Sequence, residues 1–213
     1  MADGRGGLGF RLATLVAGLL AWSAVHPRDP ATWWMEVAPV LIAAPLLFAT
    51  RKTFPLTPLV AVLIALHCSI LIVGGHYTYA EVPAGFWVRD ALGWSRNPYD
   101  RLGHFAQGFV PAMVAREILL RRSPLTRGKW LFFLVTCVCL AISACYEFIE
   151  WGAALATGEG ATAFLGTQGD VWDTQWDMFM ALIGALTAQL TLARLHDRQL
   201  TACRSSPRGL APA

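Results

Sequence analysis

Six long apolar stretches, near residues 8–25, 33–50, 55–74, 101–120, 129–151 and 175–195, constrain this chain more than any other feature. A helix needs about 20 mostly apolar residues to cross the hydrocarbon of a bilayer, with a working range of about 17–25. The sequence therefore predicts an all-α fold: a polytopic membrane helix bundle of about six transmembrane helices. Residues 1–213 form a single integral membrane domain, with long outer loops at 75–99 and 152–174. Only 15% of the residues are charged, against about 25% for a soluble domain, so much of the surface faces lipid. The first stretch, preceded by Arg5 and containing Arg11, also has the outline of a signal peptide. Five further apolar spans and a poor cleavage site favour a membrane helix. Pro39, Pro45 and Pro111 fall inside spans, which membrane helices tolerate when neighbours satisfy the freed carbonyls. The fourth stretch, with Asp100, Arg101, His104, Gln107, Arg116 and Glu117 in or beside it, is one a hydropathy window readily misses.

Basic residues sort the loops. Six crossings put twelve of the seventeen on one side: Arg5, Arg11, Arg51, Lys52, Arg121, Arg122, Arg127, Lys129, Arg194, Arg198, Arg204 and Arg208. The other side receives Arg28, Arg89, Arg96 and Arg101, and Arg116 falls near the first. Excess Lys and Arg mark cytoplasmic loops, so both termini are expected inside. Aromatics crowd the outer loops, among them Tyr77, Phe86, Trp87, Trp94, Trp151, Trp172 and Trp176, as an interfacial belt does.

On this topology the unusual polar residues gather at one depth. Span three ends at Gly75-His76-Tyr77. Span four opens with Asp100, His104 and Gln107, spaced to share a helical face. Ser143, Glu147 and Glu150 share a face near the end of span five. Asp170, Asp173 and Asp177 do so at the start of span six if that stretch is helical. Each has a plain structural reading. Asp100 can be an N-cap, Asp170 and Asp173 can be first-turn acids favoured by the helix dipole, and Glu147 and Glu150 can sit in solvent. His67 reads as a packing hydrogen-bonder, and Arg116 with Glu117 as an interfacial charge pair. Together, however, carboxylates in apolar surroundings need compensation, which Arg101, a divalent cation or shared protons can supply. Carboxylates with a few histidines suit Mg²⁺, Mn²⁺, Fe²⁺ or Zn²⁺.

The same residues carry a resemblance. Gly75–Tyr79, the YDRLGHFAQG run from Tyr99 to Gly108, Ala115–Leu119, the YEFIEW run from Tyr146 to Trp151 and the GTQGDVWDTQWDM run from Gly166 to Met178 resemble the YjdF-type family of bacterial inner-membrane proteins, defined by a domain of unknown function. The resemblance implies a multi-spanning cell-membrane protein and no particular activity.

The residues thus point to a membrane-embedded hydrolase or transferase at the periplasmic face, acting on a lipid or lipid-linked substrate with a divalent metal. Glu147, Glu150 and Arg101 are the candidate catalytic groups. His76, Asp100, His104, Asp170, Asp173 and Asp177 are the candidate metal ligands. The rivals are a non-catalytic scaffold, which needs no cluster at one depth, and a proton- or cation-coupled transporter, which needs polar groups across the whole bilayer. No zinc-finger spacing, Walker loop or basic-aromatic interleaving points to nucleic acid. The five cysteines form no evident disulfide framework.

Overall fold

The computed structural model describes residues 2–157 and 166–204; Arg208 and the middle of the expected 152–174 loop lie outside the described residues. Among the described residues there are seven α-helices and no strand. They are α1 (Ala2–Ser23), α2 (Pro30–Thr50), α3 (Pro58–Tyr77), α4 (Pro83–Leu92), α5 (Tyr99–Arg122), α6 (Lys129–Thr157) and α7 (Asp173–Arg204), with a 3-10 turn at Tyr79–Glu81. Helices α1, α2, α3, α6 and α7 are long and apolar enough to cross a membrane. Large side chains such as Phe10, Phe48, Leu66, Phe148 and Leu190 point outward, as they do where lipid replaces water.

Local chemistry sets the helix starts. Asp29 caps α2, accepting from the Ala31 N–H at 3.1 Å and the Thr32 hydroxyl at 2.6 Å, with Pro30 beginning the helix. Thr57 and Pro58 repeat the device at α3. Proline fits there because its missing N–H is not needed in the first turn. Part of the 75–99 stretch, expected as loop, is the short helix α4, which ends at Gly93 with φ +66°.

Helix α5 is the centre of the bundle, packed against α3, α6 and α7, while α1 and α2 pack on α3. The α5–α7 seam is lined by small residues. A Cβ at Gly108 would overlap the Ala181 carbonyl, and one at Gly184 the Phe105 carbonyl. Ala112, Ala181, Ala185 and Ala188 are wholly buried. Such stripes let backbones approach closely where no hydrophobic effect drives helices together. Gly108→Ala is therefore expected to destabilise the bundle by about 1–3 kcal/mol through overpacking. Thermal unfolding in detergent checks this, with Gly152→Ala, which meets nothing within 4 Å, as the silent control.

A polar lock closes the end of the bundle where α5 finishes. Glu117, fully buried, accepts from the Thr57 hydroxyl at 2.7 Å, the Thr57 N–H at 3.1 Å and Arg121 at 2.5 Å. Arg116 donates to His196 Nδ1 at 2.9 Å and to Asp197 at 2.8 Å. Because arginine only donates, Nδ1 accepts, and Nε2–H of His196 donates to Glu117 at 3.0 Å. Arg116 and Glu117 are thus not the charge pair the sequence suggests. Successive residues leave a helix in different directions, and each finds its own partner on α3 or α7.

Candidate functional site

At the opposite end, where α5 and α7 begin, the polar residues form two layers. The outer layer is an arginine–aspartate lattice. Arg96 donates to Asp173 at 2.7 Å, Asp100 at 3.0 Å and Asp170 at 3.4 Å. Arg101 donates to Asp173 at 2.7 Å, to Asp170 at 3.1 Å and to Asp177. Two planar guanidiniums, each with several N–H donors, thus hold four carboxylates. The stretch before α5 is braced for this. Asn97 and Gln168 exchange two hydrogen bonds, 2.8 and 3.0 Å, and Asn97 also donates to the Val82 carbonyl. Gly166, with φ +61°, lets its backbone sit against the Asp100 carboxyl.

The inner layer lies beneath. His104 Nε2 is 3.5 Å from Asp100 and 3.7 Å from Asp177, and its Nδ1 is 3.9 Å from Glu147. Two sets of three ligand atoms lie within 4.8 Å of one another: Asp100, His104 and Asp177, and His104, Glu147 and Glu150, all buried. The sets differ in their neighbours. Asp100 and Asp177 are held by the arginines. Among the described residues, His104 Nδ1 and Glu147 Oε1 are buried with no hydrogen-bond partner, and so are Gln107 Oε1 and Ser143 Oγ. Buried polar atoms are rarely left so. Donors 3.9 Å apart can both reach an ion bound at about 2.0–2.2 Å. With Nε2–H turned to a carboxylate and Nδ1 to the ion, His104 would have the carboxylate–histidine–metal arrangement of many metal sites.

A cavity of about 20 Å³ adjoins this layer, lined by Glu36, Leu71, Tyr79, Asp100, His104 and Tyr146 among others. That is room for about one water or ion. Glu36 accepts from the Tyr146 hydroxyl at 3.2 Å. The Tyr79 phenol, outside the spans, is held well above its ordinary range by burial, reinforced by the Glu36 carboxyl, and remains a neutral donor.

Of the nine candidates from the sequence, the fold brings eight into these two layers. His76 lies apart: its Nδ1 is 2.9 Å from the Ser23 carbonyl and its ring lies tilted against Trp22, centroids 4.3 Å apart, tying α3 to α1. Asp100 is not an N-cap either, since α5 is capped at Pro98 and the Asp100 carboxyl turns to Arg96. Two residues that the sequence does not single out as site candidates belong here. Arg96 counted there only as a loop charge. Glu36 is a lone acid inside an apolar span, which is itself a signal of function.

The family described as "Predicted membrane protein (DUF2238)" matches residues 8–198. The chain belongs to this family. Inner membrane protein YjdF of Escherichia coli (strain K12), a curated relative, is 61% identical over 182 residues, covering 85% of this chain and 87% of its own length. No solved structure matches the chain. With five apolar spans, this DUF2238 member is a multi-pass inner-membrane protein whose surroundings are the lipid bilayer.

Proposed function

We propose that this DUF2238 protein crosses the membrane six times, α5 being the crossing added to the five apolar spans and the fourth in chain order, with both termini in the cytoplasm. We further propose that it is a membrane-embedded, divalent-metal-dependent hydrolase or transferase with its site at the periplasmic face. Two features support the crossing of α5. Its 24 residues span about 36 Å, and α3, α6 and α7 pack around its charged face. The basic residues, twelve against four across alternating loops, support the orientation.

The observation that carries the metal is the pair of unpartnered buried donors, His104 Nδ1 and Glu147 Oε1, beside Glu150. His104, Glu147 and Glu150 hold the cation, and Asp100 and Asp177 orient His104 from its other nitrogen. Arg96 and Arg101, with Asp170 and Asp173, form the roof. One imidazole with carboxylates suits Mn²⁺ or Fe²⁺, with Mg²⁺ and Zn²⁺ also compatible. Such an ion would polarise a phosphoryl or carbonyl oxygen or activate a water. Glu36, which lines the same cavity, would serve as proton acceptor, its carboxyl oriented by the Tyr146 hydroxyl.

The substrate is a lipid or lipid-linked molecule, because the site lies at membrane depth. The apolar core of Val110, Ala112, Met113, Ala185 and Ala188 between the two polar ends counts against a transport path. The test is purified protein in vesicles of mixed phospholipid and isoprenyl phosphate, given Mn²⁺ or a chelator, with headgroup release followed by mass spectrometry. Metal-dependent release that Glu36→Gln abolishes is expected; identical lipid profiles with metal and with chelator would sink the enzyme reading.

A further inference from the structure

The cavity beside the inner layer has a sidedness. Its lining comes from α2 (Glu36), α3 (Leu71), the 3-10 turn (Tyr79), α5 (Asp100, Gly103, His104, Gln107) and α6 (Tyr146, Glu150), with nothing from α7. On the α7 side the arginine–aspartate lattice roofs it, with Arg101 bound to Asp170, Asp173 and Asp177. On the other side stand α2 and α6, which are not packed helix on helix. Helix α2 lies on α3, and α6 lies on α5 and α7. What spans the seam is the hydrogen bond from the Tyr146 hydroxyl to Glu36, 3.2 Å. Ile142 and Ile149, one turn to either side of Tyr146, are 40% and 58% exposed, while Ser143 and Glu150, also one turn away, are buried, so Tyr146 stands at the edge where α6 passes from the interior to lipid.

We infer that the substrate of the proposed enzyme is a membrane lipid that reaches the site sideways, between α2 and α6, and that the Tyr146–Glu36 hydrogen bond is the latch of that opening. The inference rests on the proposed metal-dependent reading for what happens inside, but not for the route. A cavity of about 20 Å³ has room for about one water, so a headgroup enters only when the seam parts. Parting it costs one side-chain hydrogen bond and little helix–helix packing, whereas the roof is tied by several charge-assisted bonds. One polar atom waits inside: Gln107 lines the cavity, and its Oε1 is buried and, among the described residues, without a partner. It gives an entering headgroup a hydrogen-bond partner. The occupant is a lipid whose headgroup carries an oxygen ligand for the cation, its chains remaining between α2 and α6.

The test places a thiol in the cavity. Leu71→Cys is made in a chain that keeps Cys145, which is exposed, as reference and has the other cysteines replaced by alanine. The protein, monodisperse by size exclusion, is reconstituted in vesicles with a chelator and no metal. It is treated with a bilayer-partitioning pyrene maleimide or a charged, membrane-impermeant maleimide. Labelling of the introduced thiol relative to Cys145 is expected to be several-fold faster with the apolar reagent. Adding Tyr146→Phe should raise that rate about two- to tenfold, the effect of one lost hydrogen bond on an opening equilibrium. Equal or faster labelling by the charged reagent would overturn the inference in favour of an aqueous opening; so would a rate indifferent to Tyr146→Phe. Because no metal is present, a failure of the metal reading leaves this result standing, and the reverse also holds.

Discussion

Arg101→Gln is expected to lower the stability of the folded protein by about 3–5 kcal/mol, the cost of leaving buried charges without their partner. Asp177 is 2% and Asp173 8% exposed at the side chain, and both are bound by Arg101. Among the described residues, removing the guanidinium leaves Asp177 with His104 alone, 3.7 Å away, to balance it. Arg101→Lys should recover little, because one ammonium cannot reproduce the fork that reaches Asp177 with one nitrogen and Asp170 and Asp173 with the other. Adding Asp177→Asn to Arg101→Gln should restore part of the loss by removing the stranded charge. Thermal unfolding followed by fluorescence-detected size exclusion reads all three. An Arg101→Gln protein melting like the parent would mean that the lattice is not the roof described here.

The second large effect concerns the cation. His104→Gln and Glu147→Gln should each weaken Mn²⁺ binding by about 100-fold or more, since loss of even an orienting partner costs about 10–100-fold. Asp170→Asn, at the half-exposed edge of the lattice, should change affinity far less. The ligands must be deprotonated to bind, so affinity should rise with pH and binding should release protons. Equilibrium dialysis with elemental analysis at two pH values measures both. If Asp170→Asn and His104→Gln weakened binding alike, the ion would belong to the outer lattice and not to the inner layer.

Much of this was readable in the sequence, for identifiable reasons. Helix spans announce themselves because lipid demands uninterrupted apolar length. Helical spacing then put Asp100 with His104, and Glu147 with Glu150, on single faces. Periodicity cannot say which carboxylates an arginine will claim. Asp170 precedes the helix that begins at Asp173, yet both reach Arg101, because their carboxylates converge on one guanidinium nitrogen, Nη2. Arg96 was hidden in a loop whose course depends on the Asn97–Gln168 brace, a contact 71 residues apart. Glu36 was visible as a lone acid, but its direction depends on how α2 leans on α3. His76 shows the converse. It ends its span at the right depth, and its ring turns to the Ser23 carbonyl of α1 instead.

Electron paramagnetic resonance of the Mn²⁺-loaded protein shows whether one imidazole and two glutamates hold a single cation. With ¹⁵N-histidine labelling, spin-echo modulation should report a single directly bound nitrogen. His104→Gln should erase it, while replacing His76 or His196 should leave it intact. A Mn²⁺ signal with no coupled nitrogen, or one that survives His104→Gln, would contradict the account.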